Sequence, residues 1–326
     1  MSNDDVKTRR ASEERLDAIH EEAALRATTT AEGVRPAGAP FPIADAERGY
    51  YGQPLLKPPV WTWEVPAYFF VGGAAGAAAV IAAFASARGR EELARDARWI
   101  AAAGAALSPP LLISDLGRHA RFLGMLRVFK LQSPMSVGAW TLLAFSHATA
   151  AAAFADVAKR RLGGGVPVQL LSDASDALAA ATGVVMASYT GVLIGATAIP
   201  VWSHNVAILP VHFAASSVGA AASALELAGH RDRALHWIAA ASALVETAVG
   251  ASIEGRGDPA LEPLKHGRTG TLVRAGGLLS GPVPLLLRLL GGRSVTARRF
   301  AAVSAIAGSA ITRWGWLQAG RESSRV

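Results

Sequence analysis

From Val65 to Ala85 the chain runs for about 21 residues without a charged side chain, and stretches of the same kind recur to the end of the sequence. At a rise of about 1.5 Å per residue, such a run coiled as a helix spans roughly 30 Å, the hydrocarbon thickness of a bilayer. In hydrocarbon each backbone N–H and C=O must be paired within the protein, so the run is expected as a helix. Further spans are expected at about Trp99–Leu116, Ser136–Ala158, Asp176–Val201, Asn205–Ala228, Ala234–Ile253, Thr271–Leu290 and Ala297–Leu317. The expected fold is an all-α polytopic membrane protein, a bundle of about eight transmembrane helices over residues 61–320. A polar extension (1–60) precedes it and a short tail (321–326) follows. With 51% hydrophobic residues, 17% charged and a mean hydropathy of +0.29, the composition is that of a membrane chain.

The charges sit between the apolar runs. The densest group lies in Ile113–Trp140, where Asp115, Arg118, His119, Arg121, Arg127 and Lys130 form a connection suited to a membrane surface. A net charge of +7 might suggest nucleic acid, but here the excess base lies in short loops, where it reports topology instead. With an even number of spans both termini share a side. The opposite loops carry 12 Lys and Arg against 7 on the terminal side, which puts the termini outside the cell membrane. Adding Arg48, Lys57, Arg321 and Arg325 narrows the difference to 12 against 11. No apolar segment follows Arg9 and Arg10, so neither a secretory nor a twin-arginine signal is expected.

Trp61, Trp63, Tyr68, Phe69 and Phe70 form an aromatic belt at the first helix, with Glu64 at its mouth. Pro109 and Pro110 should kink the second helix. Arg274, Gly281, Pro282, Pro284 and Arg288 interrupt the seventh. The chain has no Cys, which excludes disulfides and Cys-ligated zinc or iron–sulfur centres on it. P-loop, zincin and α/β-hydrolase signatures are missing. His147, His204 and His212 are the candidates for axial ligands of a b-type haem, but His147 and His212 fall at different depths, so neither haem nor metal is expected on this chain. Glu226 and Glu246 are intramembrane carboxylates with a default claim to a proton path, each near enough to a helix end to be interfacial.

Three words carry a family resemblance: YYGQPLLKPPVWTWEVPAYFFVGGAAG at Tyr50–Gly76, SDLGRHARFLGMLRVFKLQSPMSVGAW at Ser114–Trp140 and SYTGVLIGATAIPVW at Ser188–Trp202. With the closing AGR at Ala319–Arg321, the chain resembles the NrfD and polysulfide-reductase membrane anchors. It departs from them after LGR, where His119 and Ala120 stand in place of a frequent proline and acidic residue. The resemblance implies a membrane subunit that binds a quinone, menaquinone or ubiquinone. It exchanges electrons with a four-cluster ferredoxin-type iron–sulfur subunit, which is paired in turn with a molybdopterin-type catalytic subunit. It also implies an inner-membrane location, with the iron–sulfur partner on the extracytoplasmic face.

Reducing a quinone takes two electrons and two protons, so its site needs donors to two carbonyl oxygens and a titratable group near water. Glu64, Asp115 and Tyr189 are the candidate catalytic residues, and Trp63, Tyr68 and Arg118 join them around the quinone. Arg118, Arg121 and Arg127 are the candidate docking residues for the iron–sulfur partner. Each has a plainer reading: Glu64 as a helix cap paired with Lys57, Asp115 and Arg118 as an ion pair one helical turn apart, Tyr189 as an interhelical tether. Two rival functions stay open, a haem-carrying cytochrome b-type anchor and a transporter or channel without a redox role. The interrupted seventh helix supports the transporter, and the missing inverted repeat opposes it.

Overall fold

A computed structural model describes residues 56–116, 119, 121–291 and 294–325, the side chains of Arg121 and Leu162 excepted. The polar extension lies outside the described residues up to residue 55. The described residues form helices and their connections, with no strand among them. The long helices are α1 (Glu64–Ala87), α2 (Glu91–Asp115), α3 (Pro134–Leu162), α4 (Val166–Gly195), α5 (Ile208–Leu227) and α6 (Arg233–Gly255). The chain then continues as α7 (Gly267–Ser280), α8 (Pro282–Gly291) and α9 (Val295–Ser323). Among the described residues six passages are long and apolar enough to cross a membrane: α1, α3, α4, α5, α6 and the α7–α8 pair. The chain is thus a multi-pass membrane protein. The expected count of eight adds α2 and α9, of 25 and 29 residues, whose outer turns are charged.

Several boundaries differ from those expected. Helix α2 begins at Glu91, because the acidic pair Glu91 and Glu92 suits the positive end of a helix dipole outside the apolar run. Helix α4 begins at Val166 with Pro167 in its first turn, ten residues before the expected start. Pro109 and Pro110 lie inside the last turns of α2, which continues through them. The interrupted seventh passage does break, at Gly281, which separates α7 from α8. The last helix runs to Ser323, so half of the expected tail, residues 321–323, belongs to its final turn.

Packing depends on small residues. Helix α1 lies mainly between α2 and α4. A Cβ added at Gly76 would stand 2.4 Å from the Gly183 carbonyl oxygen, so only paired glycines let α1 and α4 approach so closely. Ring contacts then tie the two halves of the bundle together at one end. Trp61 stacks on Trp202 at 5.8 Å, and the Trp202 Nε1–H donates to the Trp316 carbonyl of α9 at 2.8 Å. Arg321 of α9 reaches back to the Trp61 carbonyl. At the same end His204 bonds Asp258 at 2.8 Å and holds that carboxyl below the usual carboxylate range. The other end is closed by Arg90 with Asp232, His230 with Asp96 and Arg288 with Glu226.

Candidate functional site

At the end where α1 begins and α2 finishes, Thr62 joins two carboxylates. Its backbone N–H donates to Asp115 Oδ1 at 2.9 Å, and its hydroxyl lies 2.7 Å from the same oxygen. The hydroxyl also contacts Glu64 Oε2. Thr62 thus joins the half-buried Glu64 and Asp115 at the mouth of the bundle.

Tyr68 lies one helical turn deeper on α1, on the face of Glu64. Its hydroxyl meets that of Tyr189 from α4 at 2.5 Å, with both rings buried. Whichever hydroxyl donates, the hydrogen of the other is left to point elsewhere, so the pair offers one O–H beneath the carboxylates. Tyr189 is 23 residues into α4, not thirteen, because α4 starts earlier than expected. It nevertheless lies six residues from the helix end and so reaches the shared face. Its ring fits against α3 because residue 138 is glycine, where a Cβ would stand 2.2 Å from the Tyr189 Cε2.

The structure thus brings together four candidates as two pairs, Glu64 with Asp115 and Tyr68 with Tyr189. Tyr189 is an interhelical tether, and the same bond makes its hydroxyl half of the buried pair. Trp63 points outward, 57% exposed, and has no part in this cluster. Arg118 lies outside the described residues, and so does the side chain of Arg121. Arg127 and Lys130 are exposed in the connection after the short helix Arg121–Met125. Leu123, Val128, Phe129 and Leu131 are exposed beside them. The three histidines have separate partners. His147 is exposed and bonds the Leu143 carbonyl at 2.8 Å, His204 bonds Asp258, and the buried His212 faces Glu246.

The family model of polysulphide reductase, NrfD, matches residues 54–235. The chain belongs to the NrfD family. NrfD proteins are membrane-anchor subunits of quinone-interacting oxidoreductase complexes. The match runs from just before α1 to the first turn of α6, and it contains Thr62, Glu64, Tyr68, Asp115, Gly138 and Tyr189. Comparison with curated proteins gives no match.

Sequence reasoning picked out Glu226, Glu246 and Arg288 but missed the partners that bury charge in this NrfD protein, and it missed Arg98 and Arg313. Arg98, counted above as a loop cation, is 3% exposed and makes a two-point bond with Asp176: Nε to Oδ1 at 2.9 Å and Nη2 to Oδ2 at 2.6 Å. Ser86 and Asp156 complete its surroundings. Without Arg98 the loop count falls to 11 against 7. Arg288 is buried between Glu226 and Ser223, so Glu226 is a structural partner at the bundle end. Glu246 is not interfacial: it is 2% exposed and accepts from the Ser280 hydroxyl at 2.8 Å. Arg313, buried at mid-helix in α9, donates to the Phe213 carbonyl and to Ser217, and sits 4.2 Å over the Phe213 ring. The available signal was charge inside apolar runs; pairing between residues 62 to 96 positions apart leaves no trace in spacing.

Proposed function

We propose that this chain is the quinone-reactive membrane subunit of a multisubunit oxidoreductase, and that the end formed by Glu64, Asp115, Tyr68 and Tyr189 is where the quinone reacts. The observation that carries the reading is the buried Tyr68–Tyr189 hydroxyl pair one turn beneath two carboxylates that share a threonine hydroxyl. Quinone reduction takes up two electrons and two protons, and quinol oxidation releases them. The tyrosine pair orients a carbonyl oxygen by donating its free O–H. Glu64 and Asp115, at the water boundary, exchange protons with solvent through the Thr62 bridge. Electrons arrive from or leave to a four-cluster ferredoxin-type iron–sulfur subunit, served by a molybdopterin-type catalytic subunit. No haem or metal on this chain takes part in the reading.

The exposed group of Leu123, Val128, Phe129 and Leu131, set among Arg127 and Lys130, supports a protein partner on the connection between α2 and α3. In this reading α2 and α9 also cross the membrane, giving eight passages, and both termini and the partner lie outside the inner membrane. Counted in the connecting loops alone, 7 Lys and Arg on that face against 11 on the other support the orientation.

Glu64→Gln tests the proton role, because the amide keeps size and hydrogen bonding but removes titration. The expected result is an assembled complex whose quinone turnover falls by about 100-fold, the lower end of general acid–base effects. Wild-type quinone kinetics in that variant would remove Glu64 from the mechanism.

A further inference from the structure

At the end of the bundle opposite the Tyr68–Tyr189 pair, α1 finishes while α2 and α6 begin. A groove of about 380 Å³ runs there between α1 and α6, lined also by Val218 of α5 and the buried Leu235. Its α1 wall extends from Ala77 to Arg88, about 16 Å along the helix axis. That is close to half of the roughly 30 Å hydrocarbon thickness, the reach of one leaflet. Two of its lining side chains, Phe84 at 68% and Ile238 at 38%, are exposed, so the groove opens outward to the surrounding bilayer.

The turn from α1 to α2 supplies the polar end of this groove. Gly89 takes a left-handed conformation, φ +68°, and the N–H groups of Gly89 and Arg90 donate back to the Ser86 and Ala85 carbonyls, each at 2.9 Å. The turn therefore has a fixed shape, and it brings two guanidinium groups to the groove. They do different work. Arg90 pairs with Asp232, which also caps α6 by accepting from the Ala234 N–H at 2.8 Å, so this pair clamps the two walls together. Arg88 borders the groove as well, yet its guanidinium has no hydrogen bond or ion pair among the described residues. A polar hollow of about 400 Å³ adjoins the groove and shares Arg90, Leu93 and Asp232 with it; Glu91, Glu92 and Arg231 line its other side.

We propose that this groove is a binding site for a membrane phospholipid, with its phosphate on Arg88 and one acyl chain lying along Ala77, Val80, Phe84 and Ile238. The guanidinium answers a phosphodiester with charge-assisted hydrogen bonds. The apolar trough answers a chain of one leaflet's length, and the adjoining hollow gives the rest of the head group a polar setting. A free phosphate would satisfy Arg88 and leave the apolar groove unfilled. A quinone would fill the groove and bring Arg88 no anion. The site stands apart from the quinone end and does not depend on the reaction there.

The test uses the complex purified in detergent, one equivalent of a phospholipid carrying a diazirine on its acyl chain, and peptide mapping of the photolabel. The expected result is label concentrated on the α1 segment Ala77–Phe84 and on α6 around Ile238, with little on α3 around the exposed Phe154, which faces outward elsewhere on the bundle. Arg88→Glu should lower the groove label at least about tenfold, as expected for losing a hydrogen-bonded charge. Arg161→Glu, at the same end but outside the groove, should leave it unchanged. Ala234→Phe narrows the groove from its α6 wall and should lower the label as well. Arg88 and Ala234 are both exposed, and neither substitution touches the Arg90–Asp232 clamp, so the fold is retained.

Label spread evenly over the groove and the Phe154 face overturns the proposal, because it marks only the lipid that surrounds any membrane protein. Groove label that is unchanged in Arg88→Glu or in Ala234→Phe overturns it too. So does a groove that yields cross-links to a neighbouring subunit in place of lipid.

Discussion

Gly138→Ala adds one methyl group at the point where α3 meets the Tyr189 ring. The new Cβ would stand 2.2 Å from Cε2, 2.6 Å from Cζ and 2.9 Å from the hydroxyl oxygen. Carbon atoms settle at about 3.5–4.0 Å, so the ring must retreat by more than about 1 Å. Its hydroxyl is held only 2.5 Å from that of Tyr68, and the retreat breaks that bond. Overpacking a tight contact costs about 1–3 kcal/mol, and a buried hydroxyl left alone adds about 1–3 kcal/mol. The sum is roughly 2–6 kcal/mol of stability. Misplacing a positioning group by about 1 Å slows a reaction on the order of 100-fold. Thermal unfolding in detergent measures the first effect, and quinone-coupled turnover in membranes measures the second. Truncating the ring in Gly138→Ala/Tyr189→Ala removes the clash, so the double variant should be more stable than the sum of the single losses. A Gly138→Ala protein with wild-type stability and turnover within twofold of wild type would refute the placement of Tyr189.

Two further outcomes follow from the charges. Asp176→Asn leaves the buried Arg98 with Ser86 at 3.0 Å and Asp156 at 4.0 Å, and should cost about 3–5 kcal/mol in unfolding measurements. Arg98→Met/Asp176→Leu should recover most of it, and a harmless single substitution would deny the ion pair its place in the core. Arg121→Glu should release the iron–sulfur partner from membranes, while Arg161→Glu at the opposite end should not, as read by immunoblots of membrane fractions. Because the chain has no Cys, a Cys introduced at Lys130 should react with an impermeant maleimide from outside partner-free cells, and one at Gly164 should not. Reversed labelling would put the docking face in the cytoplasm.

The helices were legible because a bilayer demands long uncharged runs, and the break at Gly281 followed from the Gly-Pro pair. Their ends were less legible. Helices such as α2 and α4 continue past the apolar run into turns where Glu91 or Pro167 suits a helix start, and hydropathy does not register them. Glu64 and Asp115 were legible as neighbours because one begins α1 and the other ends α2. Thr62, which joins them, was missed, since a threonine between two tryptophans has no signature until α2 is laid beside it. Tyr68 and Tyr189 are 121 residues apart, and a hydroxyl bond between them follows only from the close crossing at Gly76 and Gly183. Trp63 was drawn in by sequence proximity alone; a helix turns adjacent residues about 100° apart, and Trp63 faces away while Glu64 faces Thr62.

The measurement closest to the central claim is electron exchange between a soluble quinone analogue, oxidised or reduced, and the partner's iron–sulfur clusters, followed by cluster absorbance in the purified complex. The account predicts exchange in the wild type. In Tyr68→Phe/Tyr189→Phe it predicts a rate at least about 100-fold lower, with all subunits still bound and both rings still packed. Exchange at the wild-type rate in that intact double variant would contradict the claim that the quinone reacts at this end of the bundle.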